Sequence, residues 1–376
     1  MKVLGVVGTR PNLVKMAPLI RAMHDCPEID PILVHTGQHY DDKMSQIFFD
    51  ELGMTRPHVF LGAGSGSHAE QTAKIMVACE KVLLEHRPDM VLLVGDVNST
   101  LACAIVAAKL CVPIIHVEAG LRSFDRTMPE EVNRIVTDAL SDLLFTTSPD
   151  ADENLAKEGI PRDRIFFAGN VMIDTLQSHR AHAAELGTPG RFGLTKGTYA
   201  LLTLHRPSNV DVPNVLAGLM DAMTAIQHDL EILFPAHPRT VQRLAELGLN
   251  DRLADAPRLR VVEPLGYLEF LDLMMHARIV MTDSGGIQEE TTILGVPCLT
   301  LRENTERPIT ISHGTNRLVG TNPKHIIAAV RDILNNPRTG GDLPDLWDGQ
   351  AADRIVAALL AEWDRGRFSP HPANKG

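Results

Sequence analysis

Excess positive charge is missing from this 376-residue chain: 36 Lys and Arg stand against 47 Asp and Glu, a formal net charge of -11. That balance excludes a general electrostatic grip on nucleic acid, while leaving room for a local basic pocket around a phosphorylated small molecule. Long hydrophobic runs are missing too. No apolar stretch approaches the roughly 18 to 20 residues of a membrane span. The start "MKVLGVVGTRPN" lacks the layout of a cleavable signal, because its apolar run ends at once in a Gly-Thr-Arg turn. A cytoplasmic protein with no membrane association is expected. Cysteine is scarce: Cys26, Cys79, Cys103, Cys111 and Cys298 are odd in number and scattered, with no CxxC, so reduced buried thiols are expected rather than a disulfide framework. GxxxxGK[ST] does not occur, which excludes a P-loop, and neither His116 with Glu118 nor His205 with His237 completes a metal-ligand motif. No metal and no cofactor are expected.

What is present is a chain with 44% apolar residues, long enough for two cores. Short apolar runs ending in small or polar residues alternate with segments of helical spacing. In the first half the runs are "KVLGVVG", "DPILVHTG", "DMVLLVGD", "VPIIHVEAG" and "DLLFTTS"; in the second, "TYALLTLH", "LEILFPAH", "LRVVEP", "ARIVMTDS" and "VPCLTL". Each half therefore predicts an α/β domain built on a parallel sheet with helices on both faces. Strand character lapses near residues 171 to 195, which places the boundary there and gives domains at 1–171 and 172–351. The stretch "AADRIVAALLAEWDRGRF" reads as one amphipathic helix. In open parallel sheets ligands bind beyond the carboxyl ends of the strands, so the polar residues there are the candidates.

At the first such end, "GVVGTRPNLVK" sets Arg10 at a strand-to-helix turn with Lys15 one turn into the helix. At another, "MTDSGGIQEE" offers Ser284, Gly285 and Gly286 as backbone donors for a diphosphate at a helix start, and carboxylates further on for ribose hydroxyls. Asp96 in "LVGDVNST" and Glu118 in "HVEAGLRS" follow neighbouring strands, a pairing suited to acid/base work through partial burial and mutual repulsion. "PEEVNR" opens a helix with Pro129 and spaces Glu130 and Arg134 for an i,i+4 ion pair. His205-Arg206 and His237-Pro238-Arg239 end two strands of the second half, a pattern that fits phosphate contact and proton transfer. "LRENTERPITISHGTNRLVG" gathers Arg302, Glu303, Glu306 and Arg307 in a loop expected to line the same cleft.

Together "GTRP", "TGQH", "GDVNST", "HVEAGLRS", "PEEVNR", "HPR", "SGGIQEE" and "RENTERP…GTN", in family order from residue 8 to 320, resemble the non-hydrolysing UDP-N-acetylglucosamine 2-epimerases. The resemblance implies two Rossmann-like domains facing across a cleft in the glycosyltransferase-B arrangement. The C-terminal helix, residues 352–368, would cross back to the first domain. It implies a homodimer that acts on a UDP-sugar without NAD or metal. The implied reaction interconverts UDP-GlcNAc and UDP-ManNAc by anti elimination of UDP to 2-acetamidoglucal and re-addition on the other face. Carried over by motif, Asp96, Glu118 and Glu130 are the acid/base carboxylates, with Arg134 supporting the last of them. Which one takes the C2 proton stays open. His205 would sit at the diphosphate, with Arg10 and Lys15 supporting its charge; Ser284, Gly285 and Gly286 would bind phosphate, Glu290 the ribose, and the backbone around Phe270 the uracil. Some bacterial members use a second UDP-GlcNAc as activator near "TGQH", where Gln38, His39 and Gln71 match in part.

Three carboxylates of the family pattern are replaced, by Asn12, Ser208 and Ile309. A less negative pocket would tolerate an anionic sugar such as UDP-2,3-diacetamido-2,3-dideoxyglucuronate. Rival readings are a glycosyltransferase of the same architecture, which would need an acceptor, and a hydrolysing epimerase, which would release free ManNAc.

Overall fold

The computed structural model describes residues 1–38, 48–249, 253, 255–336 and 341–368. The chain divides into two compact units, Met1–Ser178 with Asp345–Gly376, and His179–Pro344. Among the described residues no helix is long and apolar enough to cross a membrane.

Unit 1 holds β1 (Lys2–Val7), β2 (Asp30–His35), β3 (Val59–Phe60), β4 (Met90–Val94), β5 (Ile114–Ala119), β6 (Leu143–Thr146) and β7 (Ile165–Phe167). They form one parallel sheet in the order β3-β2-β1-β4-β5-β6-β7. Central strands such as "MVLLV" are buried at every position, which is why they read as unbroken apolar runs. Strand order reverses between β1 and β4, and ligand crevices form at that reversal. Arg10 follows β1 and Asp96 follows β4.

Unit 2 repeats the plan. Strands β8 (Tyr199–Thr203), β9 (Glu231–Pro235), β10 (Leu259–Val262), β11 (Ile279–Thr282), β12 (Cys298–Thr300) and β13 (Asn316–Leu318) pair in parallel in the order β10-β9-β8-β11-β12-β13. Its core interlocks Leu202, Phe234 and Met281 with Met220 and Val330 from flanking helices. Here the reversal lies between β8 and β11, and His205 and Asp283 follow those two strands.

All ten expected strands form. The three additional ones, β3, β7 and β13, have two or three residues each and complete the sheet margins. The stretch expected as a linker is a helix, Val171–Glu185, in which the division between units falls. The C-terminal helix, Ala351–Asp364, packs on helix Arg10–His24 within unit 1. Its first turn is held by Asp174, which accepts from the N–H groups of Ala351 at 3.1 Å and Ala352 at 2.7 Å. Just before it, Trp347 Nε1 donates to the Thr147 carbonyl at 2.8 Å. The cysteines are free thiols; Cys79, Cys103 and Cys298 are buried, whereas Cys111 is exposed.

Candidate active site

In unit 1 the carboxylates lie at adjacent strand ends. Glu118 is buried and forms an ion pair with Lys15, itself buried on helix Arg10–His24. Beside them Asn12 Nδ2 donates to the Val94 carbonyl at 2.9 Å, and its Oδ1 accepts from Thr9 Oγ1 at 2.9 Å. Glu118 has a left-handed backbone, φ 69°, at a register shift between Val117 and Ala119 against β6. A non-glycine residue there is strained, so the surroundings must hold it. Gly95, next to Asp96, has a left-handed backbone, φ 66°, in which a side chain would be strained, and a Cβ would lie tightly against Lys15 Nζ at 3.1 Å and Glu118 Oε2 at 3.2 Å.

Asp96 pairs with Arg134, whose guanidinium is buried and also binds Glu131 Oε2 through Nη2 at 2.6 Å. Glu131 in turn accepts from Ser123 N at 2.9 Å, Ser123 Oγ at 3.0 Å and Phe124 N at 2.9 Å. Burial opposes its ionisation, but Ser123 and Arg134 hold it below the usual glutamate range. Phe124, at φ 59°, is left 79% exposed on the loop between Glu118 and Glu130.

These contacts correct one expectation. Arg134 serves Glu131 and Asp96 rather than Glu130, because position 131 faces the interior of helix Pro129–Leu140 and 130 is half-exposed. Asp96 and Glu118 are each held by a cation. Lys15, expected at a diphosphate, is neutralised by Glu118; Arg10 lies 5.7 Å from the centre of the Phe48 ring.

In unit 2, Asp283 organises the ends of β8 and β11. Fully buried, it accepts from His205 N at 3.0 Å, Arg206 N at 3.0 Å and Asn209 Nδ2 at 3.2 Å, and its Oδ1 meets His205 Nδ1 at 2.9 Å. Burial works against its charge, yet His205 and the two backbone donors hold it below the usual aspartate range. The His205 side chain remains 54% exposed, oriented and available. Next to it three guanidiniums share Glu306: Arg206 at 3.4 Å, Arg302 at 2.7 Å and Arg307 at 2.5 Å. Although burial favours the neutral acid, these cations drive Glu306 well below its ordinary range. Arg307 Nε also meets Glu289 at 2.9 Å. Five charged side chains, three positive and two negative, thus lie at the start of helix Gly285–Leu294, whose first-turn N–H groups have no intrahelical acceptors.

Ser284 N is not one of the free donors expected, since it donates to Thr282 Oγ1 at 2.9 Å, and the Ser284 side chain caps nothing. The N–H groups without intrahelical acceptors are those of Gly285, Gly286 and Ile287. Gly285 is required by close approach: a Cβ would lie 2.3 Å from Arg307 Nη1. Glu290 is buried, and Tyr267 Oη donates to its Oε1 at 3.0 Å. Burial lifts its pKa to about 8, with Glu289 adding to the rise. Phe270 N donates to the Gly266 carbonyl at 3.1 Å, within helix Tyr267–His276. His237 caps helix Pro238–Glu246 by accepting from Arg239 N at 3.2 Å, and the exposed Arg239 pairs with Asp211. Gln38 and Gln71 meet through Gln71 Nε2 and the Gln38 carbonyl at 3.1 Å; His39 lies outside the described residues.

Sequence reading missed Glu131, Asp138, Asp283 and Glu306 as organisers. Only the apolar strand ends before Asp283 and the crowding of arginines around Glu306 could have signalled any of them.

Comparison with known proteins fits this geometry. The sequence model of one protein family, UDP-N-acetylglucosamine 2-epimerase, matches residues 21–360. The chain is 44% identical to UDP-N-acetylglucosamine 2-epimerase of Methanocaldococcus jannaschii over 96% of its own length and 99% of the relative's. It is 38% identical to the UDP-2,3-diacetamido-2,3-dideoxy-D-glucuronate 2-epimerase of Pseudomonas aeruginosa, over 96% and 100% of the two chains. Its structure is similar to the crystal structure of the M. jannaschii enzyme in complex with UDP-GlcNAc and UDP, with TM-score 0.91, 44% identity, and coverage of 96% of this chain and 100% of that one. It is also similar to the Neisseria meningitidis UDP-GlcNAc 2-epimerase bound to UDP-GlcNAc, with TM-score 0.87, 30% identity, and coverage of 96% and 100%. On its sequence and on both of its sheets, the chain belongs to the UDP-N-acetylglucosamine 2-epimerase family.

Proposed function

We propose that the protein inverts C2 of UDP-GlcNAc, interconverting it with UDP-ManNAc, as a cytoplasmic homodimer without metal or cofactor. The observation that carries this reading is the pair of carboxylates, Asp96 and Glu118, at the ends of neighbouring strands, each beside its own buried cation. A C2 hydrogen next to an acetamido group is barely acidic, so simple removal and return would be slow. Loss of that proton together with cleavage of the bond from C1 to the diphosphate gives 2-acetamidoglucal and UDP. Return of a proton to the opposite face of C2, with UDP re-adding at C1, completes the inversion. Asp96, Glu118 and half-exposed Glu130 supply the acid and base. Unit 2 binds UDP, with the first-turn N–H groups from Gly285 to Ile287, His205 and the arginines around Glu306 stabilising the departing charge. Glu290 holds the ribose, and the backbone around Phe270 the uracil.

Proton NMR of the protein with UDP-GlcNAc in deuterated water tests this. UDP-ManNAc carrying deuterium at C2 is expected; free ManNAc would mark a hydrolase, and a requirement for an acceptor would mark a glycosyltransferase. A second reading, inversion of UDP-2,3-diacetamido-2,3-dideoxyglucuronate, is favoured by the uncharged, buried Asn12 beside the pair of Lys15 and Glu118 and by the Pseudomonas relative. Turnover of that uronate alone would replace the first reading.

A further inference from the structure

A chain of ionisable side chains, buried from His116 through Asp138 to Arg122, runs from the end of β4 to the exposed Glu158. His116 and Asp138 are both fully buried, with His116 Nδ1 2.6 Å from Asp138 Oδ1. His116 Nε2 lies 2.8 Å from the Gly95 carbonyl. The Gly95 carbonyl can only accept, so His116 Nε2 donates to it, while Nδ1 faces Asp138. Asp138 Oδ2 accepts from Gly120 N at 3.1 Å and pairs with Arg122 at 2.7 Å; Arg122 also binds Glu158 at 2.6 Å.

What this chain grips is specific. Gly95 immediately precedes Asp96, and Gly120 lies two residues after Glu118, across the strained backbone at the register shift. Gly95 N also donates to the Val117 carbonyl at 3.1 Å. Replacing the buried pair by apolar groups would remove a side-chain link from β5 to the end of β4, and a core needs no such polar pair to pack. We infer that the His116–Asp138 pair is a positioning device that sets the spacing of Asp96 and Glu118 and holds Glu118 in its left-handed conformation. This rests on the epimerase reading above.

The test is Asp138→Asn in the full chain, with His116→Asn as the alternative should the first not fold. Misplacement by about 1 Å costs on the order of 100-fold in rate, so kcat is expected to fall about 10- to 100-fold while KM for the UDP-sugar stays within about threefold. Asp174→Ala, which weakens a helix cap in the same unit outside this chain of contacts, is expected to lose stability with kcat unchanged. Unchanged kcat in a folded Asp138→Asn, or a loss that matches the fraction unfolded, would overturn the proposal. Nitrogen-15 histidine NMR separates it from the functional reading, because it needs no turnover. A protonated, hydrogen-bonded Nε2 on His116 is expected in the wild type, with a changed Nδ1 shift in Asp138→Asn; a wild-type Nε2 without its proton overturns the proposal whatever the substrate.

Discussion

Arg134 joins Asp96, at the mouth of unit 1, to Glu131, which is sealed inside it: one guanidinium edge meets each carboxylate, and the side chain is 1% exposed. Removing the cation would leave Glu131 buried with only the Ser123 and Phe124 donors. Arg134→Met is therefore expected to destabilise unit 1 by about 3–5 kcal/mol, read by urea unfolding. Arg134→Lys keeps the charge but cannot hold both carboxylates in a fork. A folded Lys variant should lose on the order of 10- to 100-fold in kcat. Wild-type turnover by the Lys variant would remove Arg134 from the support of Asp96.

Much of this architecture is legible in the sequence, for a physical reason. Strands buried on both faces are continuous apolar runs, and their polar ends mark the ligand-binding edge, so Asp96, Glu118, His205 and Gly285 stand out. Strand β3 has two residues, too few for any period to register. The i,i+4 reading of Glu130 with Arg134 fails by one position, about 100° around a helix, because the side that faces inward depends on packing. The left-handed turn at Glu118 depends on its register against β6, and Arg206, a hundred residues before Glu306, joins Arg302 and Arg307 on it only through the fold. Such partners leave no local pattern.

Gly285 tests the anion cradle. An alanine there would force Arg307 off Glu306, now at 2.5 Å, and off Glu289, at 2.9 Å. Overpacking of this kind costs about 1–3 kcal/mol. Gly285→Ala should also weaken UDP binding by about tenfold or more, the equivalent of 1.4 kcal/mol, as measured by calorimetry. Undiminished affinity would place the diphosphate elsewhere.

Glu290 links stability to pH. Burial raises its folded pKa to about 8, whereas an unfolded glutamate titrates near about 4.3. The folded state then binds the proton more tightly, so this group's contribution to stability is full below about pH 4 and falls as pH rises toward 8. Glu290→Gln should remove that fall and stabilise unit 2 at pH 8 by on the order of a few kcal/mol, seen as a smaller difference in Tm between pH 5 and pH 8. The same change should weaken UDP binding if the carboxylate holds ribose. Parallel pH profiles for variant and wild type would reject the buried-acid account.

Asp174 controls the attachment of the C-terminal helix through its two N–H bonds to Ala351 and Ala352. Burial pushes its pKa up to about 6 despite those bonds, and Asp353 and Asp348 add to the rise. A raised carboxyl pKa means that stability from this site declines as pH climbs from about 4, the unfolded value, to about 6. Asp174→Ala leaves both donors without the cap and should cost about 1–2 kcal/mol at neutral pH, measured by urea unfolding. Asp174→Asn retains an acceptor without the buried charge, so it should lie within about 1 kcal/mol of wild type and lose the decline between pH 4 and 6. If Ala and Asn were equally destabilising at every pH, the cap would be acting through packing, and the C-terminal helix would be held by its apolar face on helix Arg10–His24 alone.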